Sequence, residues 1–599
     1  MRAVDEVVEE QAAPEPQEPV AAPRRRRADL WALLNYVVLS LVVMCQLWRD
    51  PNGRVLASND DDHGIFLFMI AHSERVVFHG DNPFFTDRLN APDGVNMMAN
   101  TALLALGLPM APVTHFLGAG VTVAFLITIG LAGTAWAWYW VLSRHLVKSR
   151  VAAWIGGLWC GFCPAMVSHA NGHVNFVDQF VIPFIVLQVL RLREPGRAVR
   201  GGLILAALIV LQVFINEESL LFTALALGVF VIAYAAMSWK TAMRDAPRML
   251  AGLGVAGLGA VVLLAYPLYF QFFHRGHYHG QPFEPDKYVT DLASVVGFAR
   301  QSLAGNAELT RRMSVSATED NTFFGPIGLL MILVSVLVLW RSVAARAAAI
   351  SALVVLLASF GPRLRVYGHD TSLKLPFGLV SHIPVIDLVS VTRFALVPST
   401  IAGVLLALAA DRMPTMSVKG RRWFIAGLVC ALVPLIPKPL PIVAGDPLPP
   451  FITQGTYKQY VPDDRTLVTV PLPDVTTGRT GQRWATLNLL DYRTPRGYFM
   501  GPADAPANDT GSWSAPPRWT SRLLAQVRLT GKVPTMTEGM KLALKKDLTY
   551  WRAAVVVLVP NSRNGGALQT VLTEALGPPQ LVGGVQIWDV RYLPVPSQG

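Results

Sequence analysis

Long apolar runs separated by short basic stretches set the rhythm of this chain. Eleven of them, at 29–49, 120–143, 151–169, 176–190, 201–215, 219–238, 249–272, 325–340, 346–360, 394–410 and 423–443, read as membrane helices. Those at 176–190 and 201–215 are short for a hydrocarbon core of roughly 30 Å. A further stretch, 101–118, contains Pro109 and Pro112 and runs into Gly118 and Gly120. Counting it as a crossing would invert everything after it, so it is expected to be an interfacial or re-entrant hairpin on the outer side. From residue 444 the pattern changes. "RTLVTVPL", "AAVVVLVP" and "VQIWDV" read as strands, and "MTEGMKLALKKDLTYW" and "ALQTVLTEAL" as helices. The expectation is an α-helical polytopic membrane protein with a core at 29–443 and a small α/β domain at 444–599. Residues 1–28, rich in Glu and Pro and then basic, are expected to be a disordered cytoplasmic tail.

Composition agrees with a bilayer: 52% of residues are hydrophobic and 15% charged. The net charge of +11 does not form a nucleic-acid surface, because the basic residues fall in short clusters between apolar runs. Examples are Arg24 to Arg27, then Arg144, Lys148 and Arg150, then Lys240, Arg244 and Arg248. Short Lys- and Arg-rich loops stay cytoplasmic. With the N-terminus inside, eleven crossings keep every cluster inside and put residues 444–599 outside. The four cysteines, Cys45, Cys160, Cys163 and Cys430, all lie in apolar runs, which leaves no disulfide framework in the polar segments.

The same parity gathers ionisable residues at the outer face. The long first loop, 50–119, carries Asp60, Asp61, Asp62 and His63. "NGHVNFVD" supplies His173, Asn175 and Asp178; "INEESLLF" supplies Glu217 and Glu218; "TEDNTFFG" supplies Glu319 and Asp320. Arg363, Arg365 and Arg393 complete the set. Charges at a bilayer boundary are costly unless paired or hydrated, so their concentration on one face points to a site. Each also has a plainer role. The triplet could be a solvated turn, Glu217 and Glu218 the cap of a helical hairpin, and Asp320 a helix N-cap. His274, His277 and His279 read as a hydrated loop rather than a metal site. Arg393 opens an apolar run, where the helix dipole repels it; it calls for an anion, either a phosphate or a protein carboxylate. Carboxylates that can deprotonate a hydroxyl or hold a divalent cation, with arginines that can grip a phosphate, suit group transfer from a lipid-phosphate donor. The chain carries no Gly-rich phosphate loop after a strand, and a lipid-linked donor would need none.

An Asp-rich loop after the first membrane helix resembles the GT-C class of integral-membrane glycosyltransferases. The chain is similar to a bacterial multi-pass group of that class through "GDNPFFTDRLNAPDGVNMMANTALLALGLPMAPVTHFLG" (80–118), "GHVN" (172–175), "NEES" (216–219) and "TEDNTFFG" (318–325). It is also similar through "GPRLRVYGHDTSLKLPF" (361–377), "TRFAL", "QRWATLNLLDYRTPRGYFMGP" (482–502) and "VGGVQIWDV" (582–590). The resemblance implies a GT-C-like core in a bacterial plasma membrane, a polyprenyl-phosphate-linked sugar as donor and an envelope glycan or glycolipid as acceptor. It further implies inverting transfer on the outer face, with an Asp or Glu of the first outer loop as base. Asp62, four residues before Phe66, is the first choice, with Asp61 and Asp60 beside it. Arg393, Arg363, Arg365, His173, Asn175, Glu217, Glu218, Glu319 and Asp320 are the candidates for holding donor and acceptor. No cofactor is required, and a divalent cation, if one is used, would fall to Asp60 and Asp61. Two other classes remain: a non-catalytic assembly or scaffold protein with a GT-C-like core, and a lipid or solute transporter. The first requires that the site residues fail to converge, and the second a polar path across the membrane.

Overall fold

The computed structural model describes residues 22–280, 287–383, 386–503 and 510–595. Most of the tail expected at 1–28 lies outside the described residues; from Ala22 onward the chain is helical. The helices are α1 (Ala22–Met44), α2 (Asp60–His79), α3 (Leu104–Leu117), α4 (Ala119–Val141), α5 (Arg150–Phe162), α6 (Pro164–His169), α7 (Val174–Val177) and α8 (Ile182–Arg191). They continue as α9 (Ala198–Val213), α10 (Glu217–Met237), α11 (Trp239–Phe273), α12 (Ala307–Met313), α13 (Pro326–Val338), α14 (Val343–Ser359), α15 (Leu396–Ala410) and α16 (Val418–Leu432). After these come α17 (Pro450–Thr453), α18 (Thr480–Leu487), α19 (Trp519–Thr530), α20 (Glu538–Tyr550) and α21 (Gly565–Leu576).

Among the described residues six helical segments are long and apolar enough to cross a membrane: Arg26–Met44, Ala119–Leu146, Arg150–His169, Glu217–Met237, Trp239–Phe273 and Val391–Thr415. Shorter apolar helices, α3, α8, α9, α13 and α14, pack among them. By length and composition, then, six of the eleven expected crossings are full-length helices among the described residues. The run at 176–190 is broken around Asp178, and α8 keeps 10 residues, about 15 Å at 1.5 Å per residue. The hairpin expected at 101–118 is instead one helix, α3, with Pro109 and Pro112 inside it. Close packing on α2 holds it there: a Cβ at Gly107 would come within 2.2 Å of Ser73 Oγ. In α11, 35 residues make a rod of roughly 50 Å, so the basic cluster of Lys240, Arg244 and Arg248 forms its first turns rather than a loop.

Polar contacts mark the two ends of the bundle. At one end Asp29 accepts from Tyr139 Oη at 2.6 Å and pairs with Arg144 at 2.8 Å and Arg150 at 3.0 Å. There too Asp411 Oδ1 accepts from the backbone amides of Lys148 and Ser149. At the other end lie the first turns of α2 and α10 and the segment leading into α15.

The C-terminal part carries a four-stranded sheet of order β11-β12-β10-β7, from β7 (Thr466–Val470), β10 (Ala553–Leu558), β11 (Gln580–Val582) and β12 (Val585–Asp589). β7 and β10 are parallel and the other pairs antiparallel. Both faces are buried. Val468, Val470, Val556 and Leu558 pack with α19–α21 in a core of their own, whereas Leu467, Val555, Val557 and Ile587 join the core that includes the membrane helices. Short two-stranded pieces lie between the helices and around that junction: β1 (Arg54–Leu56) with β6 (Ile442–Ala444), β2 (Phe85–Thr86) with β3 (Val95–Asn96), β4 (Arg363–Val366) with β5 (His369–Lys374), and β8 (Met500–Pro502) with β9 (Gly511–Trp513).

Candidate functional site

The acidic triplet is the first turn of α2, capped by Asn59, whose Oδ1 accepts from the Asp62 amide at 3.3 Å. Carboxylates there complement the positive end of the helix dipole, so the local sequence alone explains three in a row. Their environments then diverge. Asp60 is exposed. Asp61 pairs with Arg479; burial, opposed by Arg479 and assisted by the neighbouring Asp60, pushes its carboxyl up to about 6. Asp62 is held on both oxygens: Oδ2 accepts from His173 Nε2 at 2.8 Å and from Asn59 Nδ2 at 2.7 Å, and Oδ1 from Tyr498 Oη at 3.0 Å. Burial alone would raise its pKa, but His173, Asn59 and Tyr498 together hold it well below the usual carboxylate range.

His173 reaches Asp62 because the chain turns at Gly172, whose φ of +129° favours glycine; a Cβ there would also sit tightly, 3.2 Å from Asn59 O. Behind it, His169 Nδ1 and His173 Nδ1 share a 2.9 Å hydrogen bond. Phe176 of α7 stacks on His169 at 4.7 Å between ring centroids, and the Arg393 guanidinium lies 4.7 Å from the same ring's centroid. Thus α7 joins the Asp62 group to a second group around Arg393.

In that second group Arg393 Nε donates to Glu319 Oε1 at 3.0 Å, and Nη1 donates to Glu218 Oε2 at 3.2 Å. Glu319 is buried, with a side chain 2% exposed, and its Oε2 accepts from Asn321 Nδ2 at 3.0 Å; Glu218 is 29% exposed. Glu217 accepts from Gln271 Nε2 at 3.0 Å. The anion that Arg393 calls for is, in this structure, a pair of protein carboxylates.

Other candidates serve elsewhere. Asp320 takes a bidentate grip from Arg300, at 2.9 Å on each oxygen, and locks the loop before α13. Burial pushes its carboxyl up against the pull of Arg300. Arg365 pairs with Asp370 across the β4–β5 hairpin at 2.7 Å, and Arg363 on the same hairpin is exposed. Asn175 is buried in α7 beside the histidines. His274 stacks on Phe270 at 3.7 Å, and His277 bonds the His274 carbonyl. Among the described residues no group of three or more His, Cys, Asp or Glu is placed to hold a metal ion.

Three residues were missed in the sequence. Tyr498 closes on Asp62, stacks on Trp513 at 5.2 Å and lies under the Arg479 guanidinium at 4.8 Å. Arg479 pairs with Asp61, and the Tyr288 hydroxyl is raised by burial and by the charges of Glu319 and Asp62. Tyr498 stands 436 positions from Asp62, and nothing in local pattern links the two.

No family model and no curated protein matches the sequence. Solved structures do. The archaeal oligosaccharyltransferase AglB from Archaeoglobus fulgidus, in complex with an inhibitory peptide and a dolichol-phosphate, is 14% identical, with 90% of this chain and 70% of that one covered at a TM-score of 0.50. The arabinofuranosyltransferase AftD from Mycobacteria is 15% identical, with 89% of this chain covered at a TM-score of 0.52, and this chain spans 36% of its length. The likeness is one of fold: this is a multi-pass membrane protein that shares the overall architecture of these two structures.

Proposed function

We propose that this protein is a membrane glycosyltransferase that moves a sugar from a polyprenyl-phosphate donor to an envelope glycan or lipid on the outer face of a bacterial plasma membrane. The observation that carries the reading is the joining, across α7, of an ionised carboxylate, Asp62, to an arginine, Arg393. The structural neighbours are named for sugar transfer, and one of them holds dolichol-phosphate. In this scheme an acceptor hydroxyl takes the place of Tyr498 on Asp62 Oδ1. Asp62 accepts its proton as the oxygen bonds the anomeric carbon, and His173 steadies the other oxygen. The bond from the anomeric carbon to the phosphate oxygen breaks on the opposite face, inverting the centre. The lipid phosphate leaves with that electron pair. Arg393 then exchanges Glu218, its longer and more exposed contact, for the phosphate, while Glu319 keeps the guanidinium in place. Any divalent cation would approach from the side of exposed Asp60. The N-terminus is cytoplasmic and residues 444–599 extracytoplasmic in this reading, since Arg144 and Arg150 of one basic cluster meet Asp29 at that end and short basic segments stay inside.

The test is transfer by purified protein from labelled polyprenyl-phosphate sugars, alongside envelope glycolipids compared with and without the protein. Asp62→Asn should fold and bind donor while losing about a hundredfold or more in turnover. Equal turnover in that variant would remove Asp62 as the base.

A further inference from the structure

A large cleft lies away from this site. It measures about 840 Å³, between the first outer loop and the C-terminal sheet, and is lined by Asp81, Asp87, Arg88, Asp463, Arg493 and Arg552 among others. A second cavity of about 320 Å³ adjoins it, lined by Glu74, Arg75, His79, His115 and Asp491. The two share a wall: Arg75 donates to Asp81 Oδ2 at 2.7 Å, and Arg88 donates to the Asp491 carbonyl at 3.4 Å. Thirteen residues of α2 separate Arg75 from Asp62, about 20 Å at 1.5 Å per residue.

Two features say what the cleft would take. Its charges balance, four aspartates (Asp81, Asp87, Asp463, Asp464) against four arginines (Arg88, Arg275, Arg493, Arg552), so it favours neither a polyanion nor a cation. Cross-pairs such as Arg493–Asp87 at 2.9 Å hold these planar groups in place. Their remaining donors and acceptors suit vicinal hydroxyls, which offer both in pairs. Glu74, meanwhile, is wholly buried. Its Oε1 bonds His115 Nδ1 at 2.8 Å, while its Oε2 has no hydrogen-bond partner among the described residues. A buried carboxylate oxygen left open beside a cavity asks for a donor.

We propose that this double cleft is a glycan-binding groove for a neutral oligosaccharide, distinct from the Asp62 centre. Resting on the proposed transferase function, it is where a growing acceptor chain is held, with its reacting end about 20 Å away along α2. Each of its two cavities, about 840 Å³ and about 320 Å³, falls within the range of small-molecule sites, roughly 300–1,000 Å³.

The test titrates full-length protein in detergent with hexasaccharides of arabinose, mannose and glucose. At least one should bind with Kd of about 1 mM or tighter. Arg493→Gln and Glu74→Gln should each weaken it about tenfold or more, and Asp62→Asn should leave it unchanged. Because Arg493→Gln could disturb the fold, Asp463→Asn, at an exposed position, serves as the second variant and should weaken binding with an unaltered melting curve. No binding by any of the three sugars overturns the groove, and so does binding that survives both Glu74→Gln and Asp463→Asn. Sugar binding without transfer would keep the groove and remove the transferase reading. Transfer by a protein that binds none of the sugars would do the reverse.

Discussion

Replacing Arg393 by Gln removes the cation shared by Glu218 and Glu319 and leaves Glu319, 2% exposed, as a buried carboxylate that still accepts from Asn321 Nδ2. Breaking a buried ion pair by removing one partner costs about 3–5 kcal/mol, because the charge left behind is uncompensated. Here the lower end applies: Arg393 itself is 18% exposed and Glu218 29%, so water recovers part of the loss. For domains of 150–250 residues 1 kcal/mol shifts the melting midpoint by about 2–4 °C, and less for a larger chain, so the expected drop is roughly 3–6 °C. The measurement is thermal unfolding of donor-free protein in detergent, as a cycle of Arg393→Gln, Glu319→Gln and the double variant. The double variant should regain at least half of the drop, since a neutral amide in place of the Glu319 carboxylate no longer needs a cation. An unchanged midpoint in Arg393→Gln, or no recovery in the double variant, refutes the electrostatic reasoning and reduces the pairing to a surface contact.

Glu218→Gln should tighten binding of polyprenyl phosphate by about 5- to 10-fold, read by competition with a labelled lipid phosphate, because the phosphate no longer displaces a carboxylate from Arg393. Tyr498→Phe removes one of the donors that depress Asp62. A carboxyl whose folded pKa lies below its unfolded value of about 3.9 stabilises the fold above that value and loses the contribution as pH falls through the folded pKa. Acid unfolding of the variant, followed by intrinsic fluorescence, should therefore begin at higher pH than in wild type, and identical curves would deny the bond a role. A cysteine at Ser512 should be labelled by an impermeant reagent from outside intact cells, and protection there would reverse the proposed orientation.

The sequence carried the classes of element well and their joins poorly. β7, β10 and β12 coincide with the runs expected as strands, and α20 and α21 with the expected helices, since short β-branched runs and charged 3.6-residue patterns are local signals. The breaks at Asp178 and at Cys163 and Pro164 were not legible, because hydropathy averages over the very residues that interrupt a helix. His173, Glu218, Glu319 and Arg393 were visible as misplaced polarity and do come together. Asp320 was equally visible and belongs to Arg300, since a buried carboxylate looks the same in sequence whether it serves a ligand or an arginine. Arg479 and Tyr498 lie in a polar segment where such residues are ordinary, so only the folded chain distinguishes them.

The seam between the two ends of the chain also sets a timetable. Asp62 leaves the ribosome 436 residues before Tyr498, and β1 long before its partner β6. At 5–20 residues per second the nascent protein spends roughly 20–90 s with its acidic turn uncovered and its sheet unmade. The last strands to be synthesised, β11 and β12, complete the sheet whose inner face joins the same core as the earliest helices. A chain terminated before Arg479 would therefore insert its membrane helices and still lack the arginine and tyrosine that seat the carboxylates, whereas one terminated before β11 would keep both and lack two strands of the sheet. Truncation ahead of Arg479 should act on this protein as an all-or-none lesion, with the inserted fragment left for quality control.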